Sequence, residues 1–226
     1  LVAASITMYI LCFRSKELSL RIDTGRFLPT WGVVKRALHI SLPMGLQQTI
    51  MCSAYVMTTI IIAPLGTFAI AANSFAITAE SLCYMPGYGI ADAATTLVGQ
   101  SIGAGRHELM KRFAWLSVGL GVTVMAVMGV VMYVGAPVAM AMMTPAEEVR
   151  RLGVEVLRIE AFAEPMFAAA IVSYGVFVGA AKTLVPSIMS LVSIWGVRIS
   201  LAALLAPSMG LRGVWIAMCI ELCFRG

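Results

Sequence analysis

Long apolar blocks separated by short polar segments make up most of this 226-residue sequence. No Asp, Glu, Lys or Arg lies between Arg36 and Glu80, and none lies between Arg112 and Glu147. A helix needs about 20 predominantly apolar residues to cross the hydrocarbon core of a bilayer, and these blocks are longer than that. The pattern therefore predicts an all-α integral membrane protein.

Turn signals and polar clusters divide the apolar sequence into helices. Pro64-Leu65-Gly66 favours a tight turn, and Thr144-Pro145 followed by two glutamates is typical of a helix start. The two outermost apolar segments are shorter than a full span, so we expect five complete and two truncated spans, and a chain that is part of a longer protein. The predicted segments are a helix end at 1–13, a polar loop at 14–38, and helices at about 39–63, 68–105, 113–135, 145–181, 183–206 and 211–226, with a short outer segment at 136–143.

Composition and charge narrow the class of protein. Apolar residues make up 60% of the chain and charged residues 12%, whereas soluble domains contain about 25% charged residues. A soluble fold is therefore excluded. The net charge is +5, but the basic residues lie in short clusters between apolar blocks, where they indicate orientation rather than nucleic-acid binding. The five cysteines lie in apolar stretches without a CxxC spacing, which supports neither disulfides nor a metal site.

The basic residues also predict the topology. On the helix assignment above, eleven lie on one side of the membrane and four on the other. Cytoplasmic segments carry an excess of Lys and Arg. The segments 14–38 and 106–112 are therefore predicted to be cytoplasmic, with 64–67 and 136–150 on the outer side.

Two glutamates lie near the middle of predicted spans. Glu80 is on the third helix, and Glu164 is at similar depth on the fifth, one turn after Glu160. A charge at the bilayer centre costs about 2.5–3.5 kcal/mol, so each carboxylate serves either ion coupling or a permanent ion pair, for instance with Arg158 or Arg198. Glu80 and Glu164 are the candidates for ion coupling.

Polar side chains at helical spacing predict a cavity inside the bundle. Asn73, Glu80 and Tyr84 share one helix face. Arg198 should point into the bundle, either as the partner of an acid or as a substrate contact, and the polar residues of the second helix either bridge helices or line a cavity. The candidate cavity residues are Gln47, Gln48, Tyr55, Asn73, Tyr84 and Arg198.

The string LVGQSIGAGR at 97–106 is rich in glycine. A dinucleotide-binding loop requires a preceding strand, and here the string ends a membrane helix. Gly99xxxGly103 and Gly175xxxGly179 instead predict close helix packing.

Five strings, in order along the chain, resemble the C-terminal half of multidrug and toxic compound extrusion (MATE) transporters. The resemblance implies the six-helix C-terminal lobe of a twelve-helix, two-lobed antiporter, with truncated edge helices. Residues 1–13 would end the sixth helix, 14–38 would be the cytoplasmic inter-lobe loop, and 39–226 the C-terminal lobe. The strings are SLPMGLQQ (41–48), APLGTFAIAANSFAITAESLCYMPGYG (63–89), ATTLVGQSIGAG (94–105), YGVFVGAAKTLVP (174–186) and GLRGVWIAM (210–218).

The resemblance also implies a function. Secondary active multidrug efflux in the cell (inner) membrane would exchange cationic or amphipathic compounds, such as drugs or toxic metabolites, for sodium ions or protons. No cofactor is implied, and the partners would be the lipid bilayer and the N-terminal lobe. One branch of the family has acids at the positions of Met51 and, approximately, Phe167, whereas another has a glutamate at the position of Glu80.

Three alternatives to efflux fit the sequence less well. A lipid or polysaccharide flippase of the same broad superfamily should have a more cationic central cavity. The predicted spans of this chain offer only Arg198 as a cation. An enzyme is not predicted, because no HExxH, serine elbow or acidic dyad lies in or beside a span. A purely structural membrane domain would not need Glu80 and Glu164 at mid-depth.

Overall fold

A computed structural model describes residues 6, 7, 10, 11 and 30–226. The chain divides into two compact units, 1–39 and 40–226. In the first unit, the described positions before residue 12 are helical, and a longer helix begins at Trp31. The second unit is helical throughout apart from short turns.

The helices are numbered here in chain order over the described residues. Several of these helices agree with the predicted segments to within a few residues. Most of the helices lie in the second unit. They are α1 (Trp31–Ile62), α2 (Thr67–Gly103), α3 (His107–Met143), α4 (Glu147–Glu160), α5 (Glu164–Gly179), α6 (Leu184–Val192), a π-helical segment (Ser193–Ile199), α7 (Ser200–Met209) and α8 (Leu211–Arg225).

Four helix assignments differ from the sequence prediction. Helix α1 starts at Trp31 rather than near 39. Positions 31–38 contain no proline, so the helix extends through them without interruption. Helix α3 begins at His107, within the predicted loop 106–112, rather than at 113. It continues to Met143 through the predicted outer segment, since Pro137 is accommodated within the helix.

The helix predicted at 145–181 is two helices, α4 and α5, bent by 60° at a short break. Pro165 lies in the first turn of α5, where its missing N–H leaves no hydrogen bond unmade. The helix predicted at 183–206 contains the π-helical segment Ser193–Ile199 and continues to Met209.

Length and hydropathy identify three membrane-crossing helical segments among the described residues: Gln48–Leu65, His107–Met143 and Leu184–Met209. The bent pair α4–α5 makes four if it counts as one span. The prediction of five complete spans is thus not met by these criteria. Helix α2 has 37 residues, but its polar residues lower its hydropathy. Helix α8, the predicted partial span, has 15 residues, too few for a full span.

Helix α5 packs closely on α2 at two glycines. A Cβ at Gly175 would lie 2.5 Å from the carbonyl oxygen of Ala91, and one at Gly179 would lie 2.5 Å from that of Thr95. The Thr95 hydroxyl also donates a hydrogen bond of 2.8 Å to the Gly175 carbonyl. The predicted packing role of Gly175xxxGly179 is therefore confirmed.

The second glycine pair behaves differently. A Cβ at Gly99 would lie 3.5 Å from the Gly179 carbonyl oxygen, which is an ordinary contact, and one at Gly103 would have no neighbour within 4 Å. This motif therefore packs at its first glycine alone.

Candidate functional site

A cavity of about 400 Å³ lies among α1, α2, α5, α8 and the segment from α6 into the π helix. Its walls combine a broad aromatic surface with a small number of charged groups, a composition typical of small-molecule sites. The aromatic lining consists of Tyr55, Tyr84, Tyr88, Phe167, Tyr174, Phe177 and Trp215, and the charged lining of Glu80, Arg198 and Arg225.

The structure brings most of the predicted site residues to this cavity. Glu80 lines it together with five of the six candidate cavity residues, whereas Glu164 does not. The sixth, Gln47, has a side chain outside the described part of the chain. The five that line the cavity are Gln48, Tyr55, Asn73, Tyr84 and Arg198.

Helix α2 supplies the carboxylate wall of the cavity. The Glu80 side chain is 6% exposed and interacts electrostatically with Arg198, but among the described residues it forms no ion pair within 4.0 Å. One helical turn on, the Tyr84 ring makes an edge contact with Phe167, at 5.9 Å between centroids. Toward the other end, Asn73 Oδ1 accepts a 3.0 Å hydrogen bond from Trp215 Nε1, which ties α2 to α8. The Glu80 carboxylate thus lies on the helix face between these two contacts of α2 and has no close counter-ion among the described residues.

The π-helical segment supplies the opposite charge. A π turn is rare and is found frequently at functional sites. Here it carries Arg198, whose Nη2 lies against the sulfur of Met218. The Arg198 Nε is buried without a hydrogen-bond partner. The guanidinium therefore retains unused donors within the cavity wall.

A second arginine in the lining is neutralised by its neighbours. Arg225 Nε lies 3.2 Å from Glu221 Oε1, and Ser193 Oγ donates a 2.7 Å hydrogen bond to the same oxygen. The Arg225 guanidinium also lies 6.0 Å from the centre of the Phe167 ring. Arg225 is one of the eleven basic residues that the sequence places on the cytoplasmic side. The sequence does not predict its place in the cavity lining, because its contacts depend on how α8 packs against α5.

Two more buried glutamates flank the break between α4 and α5. Glu160 and Glu164 are each 1% exposed, and both Glu164 oxygens lack a hydrogen-bond partner. Glu160 interacts electrostatically with Glu80, with Arg198 and with Glu164. Glu164 also interacts electrostatically with Glu80 but does not line the cavity.

Neither of the two predicted ion-pair partners, Arg158 and Arg198, forms an ion pair within 4.0 Å among the described residues. Arg158 lies over the ring of Tyr133, 5.2 Å from its centre. Arginine on an aromatic face is a favourable cation–π contact, and it keeps Arg158 on the exposed side of α4. Among the described residues, no group of three or more His, Cys, Asp or Glu has the geometry to hold a metal ion.

The chain is similar to proteins named as multidrug resistance proteins. It is 29% identical over 197 residues to "Probable multidrug resistance protein NorM" of Xylella fastidiosa, covering 86% of this chain and 42% of that protein. It is 27% identical over 229 aligned residues to the protein of the same name in Thermotoga maritima, covering 99% of this chain and 48% of that protein. The chain therefore spans about half the length of the curated relatives it matches.

A solved structure has the same fold. The crystal structure of the Vibrio cholerae MATE transporter VcmN in the bent form superposes with a TM-score of 0.87 at 18% identity, covering 99% of this chain and 51% of that one. In sequence, residues 43–204 match the MatE family. Because these residues make up more than half of the sequence, the chain belongs to the MatE family.

Proposed function

We propose that the chain forms the six-helix C-terminal lobe of a twelve-helix antiporter for multidrug efflux in the cell (inner) membrane. Its relatives carry the name of multidrug resistance proteins, and it covers about half of a MATE transporter structure. In this role the cavity receives cationic or amphipathic compounds, which are exchanged for sodium ions or protons. The observation that carries the proposal is the buried carboxyl of Glu80 on an aromatic wall.

The chemistry of this wall suits exchange. A carboxylate in a water-poor site attracts a cation more strongly than one in water, and aromatic faces add a cation–π attraction. When an organic cation and a coupling ion require the same carboxylate, binding of one displaces the other. Competition at Glu80 thus gives the protein a physical means of exchanging the two.

Glu164 extends the proposed coupling site. It is buried, its oxygens have no hydrogen-bond partner, and it interacts electrostatically with Glu80. Two like charges in a low-dielectric site repel each other. Binding of a cation or proton at one carboxyl therefore alters the affinity of the other carboxyl for a cation or proton. We propose that Glu80 and Glu164 share the coupling ion.

A flippase for a lipid or polysaccharide carrier is the second candidate. The flippase is favoured by one observation: Arg225 lines the cavity together with Arg198. The lining is therefore more cationic than the sequence predicts. The ion pair of Arg225 with Glu221 cancels this added charge. The unpaired charges of the lining are then one carboxylate and one guanidinium, and this combination favours a small amphipathic compound.

The proposed orientation predicts a labelling pattern. In a cysteine-free background, Thr67→Cys at the start of α2 should react with a membrane-impermeant maleimide added outside cells. Glu108→Cys, in the exposed first turn of α3, should react only after permeabilisation, because the neighbouring basic residues hold that end in the cytoplasm. The reverse pattern would contradict the orientation.

Reconstitution tests the transport function itself. Alternating access in repeat-built transporters requires one repeat to move against another around a site at their interface. Liposomes containing the complete two-lobed protein should therefore expel a fluorescent organic cation when a sodium or proton gradient is imposed, and liposomes containing the 226 residues alone should not.

Each arm of the reconstitution has its own contrary outcome. Dye efflux by the complete protein that ignores both gradients would contradict ion exchange. Gradient-driven efflux by the 226 residues at the rate of the complete protein would contradict the assignment to a single lobe.

A further inference from the structure

Arg198 differs from the other charged groups of the cavity. Arg225 is paired with Glu221 at 3.2 Å, whereas Arg198 forms no ion pair within 4.0 Å among the described residues. Its Nη2 contacts a thioether sulfur, which is a weak acceptor. Its Nε is buried and has no acceptor at all. Arg198 therefore carries hydrogen-bond donors that the protein does not satisfy.

Unsatisfied donors on a charged group inside a membrane protein are costly. A guanidinium binds carboxylates and other oxyanions through two parallel N–H donors, a geometry that lysine cannot reproduce. The lining offers one carboxylate, Glu80, which attracts Arg198 electrostatically without forming a close pair. An acceptor brought by a ligand would complete the hydrogen bonding of Arg198 and leave Glu80 free for a basic group.

We propose that Arg198 binds an acidic group of the transported compound, so that the cavity favours amphipathic compounds with both a basic and an acidic group over equivalents with the basic group alone. This inference rests on the proposed function, since it names the substrate class of the same cavity. The basic group lies at Glu80, the acidic group at Arg198, and the apolar body against Tyr84 and Phe167. The volume of about 400 Å³ is within the range of small-molecule sites, roughly 300–1,000 Å³.

A matched pair of dyes tests the proposal. A rhodamine with a free carboxylate and its methyl ester share the cationic ring system and differ in the acidic group alone. Binding of each is measured by fluorescence polarisation to the complete protein in detergent, without an ion gradient. The wild type should bind the carboxylate dye roughly tenfold more tightly than the ester, as expected for one charge-assisted hydrogen-bonded pair.

Variants assign that preference to Arg198. Arg198→Gln should remove the preference by weakening carboxylate binding, with ester binding unchanged or improved. Arg198→Lys should keep part of the preference, because it retains the charge but not the paired donors. The control is Arg212→Gln, whose arginine is half exposed and paired with Glu155 outside the cavity lining, and which should leave both dissociation constants unchanged.

The results separate this proposal from the proposed function. Wild-type protein that binds the ester as tightly as the carboxylate dye would overturn the role of Arg198, and so would an Arg198→Gln protein that keeps the full preference. Should Arg198→Gln fail to fold, a full wild-type preference retained in Arg198→Lys would overturn the paired-donor contact. A clear dye preference in a protein that shows no gradient-driven efflux would support the binding site and contradict antiport.

Discussion

Glu80→Gln should abolish most ion-driven export while leaving the protein folded. The amide is nearly isosteric with the carboxyl, so the packing of α2 is preserved, but the group can no longer bind a proton or attract a cation. Coupling between two ligands of one protein typically changes affinity by roughly 5- to 150-fold. Without the carboxyl, dye affinity should lose this dependence on the coupling ion, and gradient-driven export should fall sharply. The measurement is gradient-driven dye efflux from liposomes that contain equal amounts of each variant.

Two further variants give this experiment its controls. Glu108→Gln removes a carboxylate that is exposed and paired with Lys111 at the start of α3, and it should export at the wild-type rate. Glu164→Gln removes a buried carboxyl that interacts with Glu80 but does not line the cavity, so it should reduce the response to the ion gradient without weakening dye binding in detergent. Export by Glu80→Gln with wild-type dependence on the gradient would show that the carboxyl serves a structural purpose.

The part of the site that sequence could predict lies on single helices. Helical periodicity alone places Asn73, Glu80 and Tyr84 on one face, and the structure turns that face toward the cavity. The cost of an intramembrane charge likewise singles out Arg198 as inward-facing. These inferences need only the spacing of residues along one helix and the physics of the bilayer.

The remaining features depend on how helices meet, which the spacing of residues does not contain. Pro165 signals a disturbance of the helix but not a 60° bend between α4 and α5, and Glu164 follows directly after that bend without lining the cavity. The π-helical segment around Arg198 contains no proline, so the sequence carries no signal that the helix changes its hydrogen bonding there. The pairing of Arg225 with Glu221 becomes a feature of the cavity only when α8 packs beside α5.

The helix contact that holds the two cavity walls together is open to a direct test. Helix α2 carries Glu80 and Tyr84, and α5 carries Phe167, so the width of the cavity depends on how closely these helices approach. At Gly175 the backbones are nearly in contact: an added Cβ would lie 2.5 Å from the Ala91 carbonyl oxygen and 3.0 Å from its carbon. Because these are backbone atoms, no side chain can move aside to relieve the clash, and α5 must shift away from α2.

Gly175→Ala should therefore destabilise the protein by about 1–3 kcal/mol, the usual cost of overpacking, and weaken dye binding as the cavity walls separate. The measurement is the thermal unfolding midpoint of the complete protein in detergent, together with the dye dissociation constant. The matched control is Gly119→Ala on α3, where an added Cβ has no neighbour within 4 Å. That control should be neutral or slightly stabilising, because alanine favours the helix over glycine by about 0.5–1 kcal/mol. Equal midpoints for the two alanine variants would show that α5 can move without loss of packing, and that the cavity does not depend on the glycine contact.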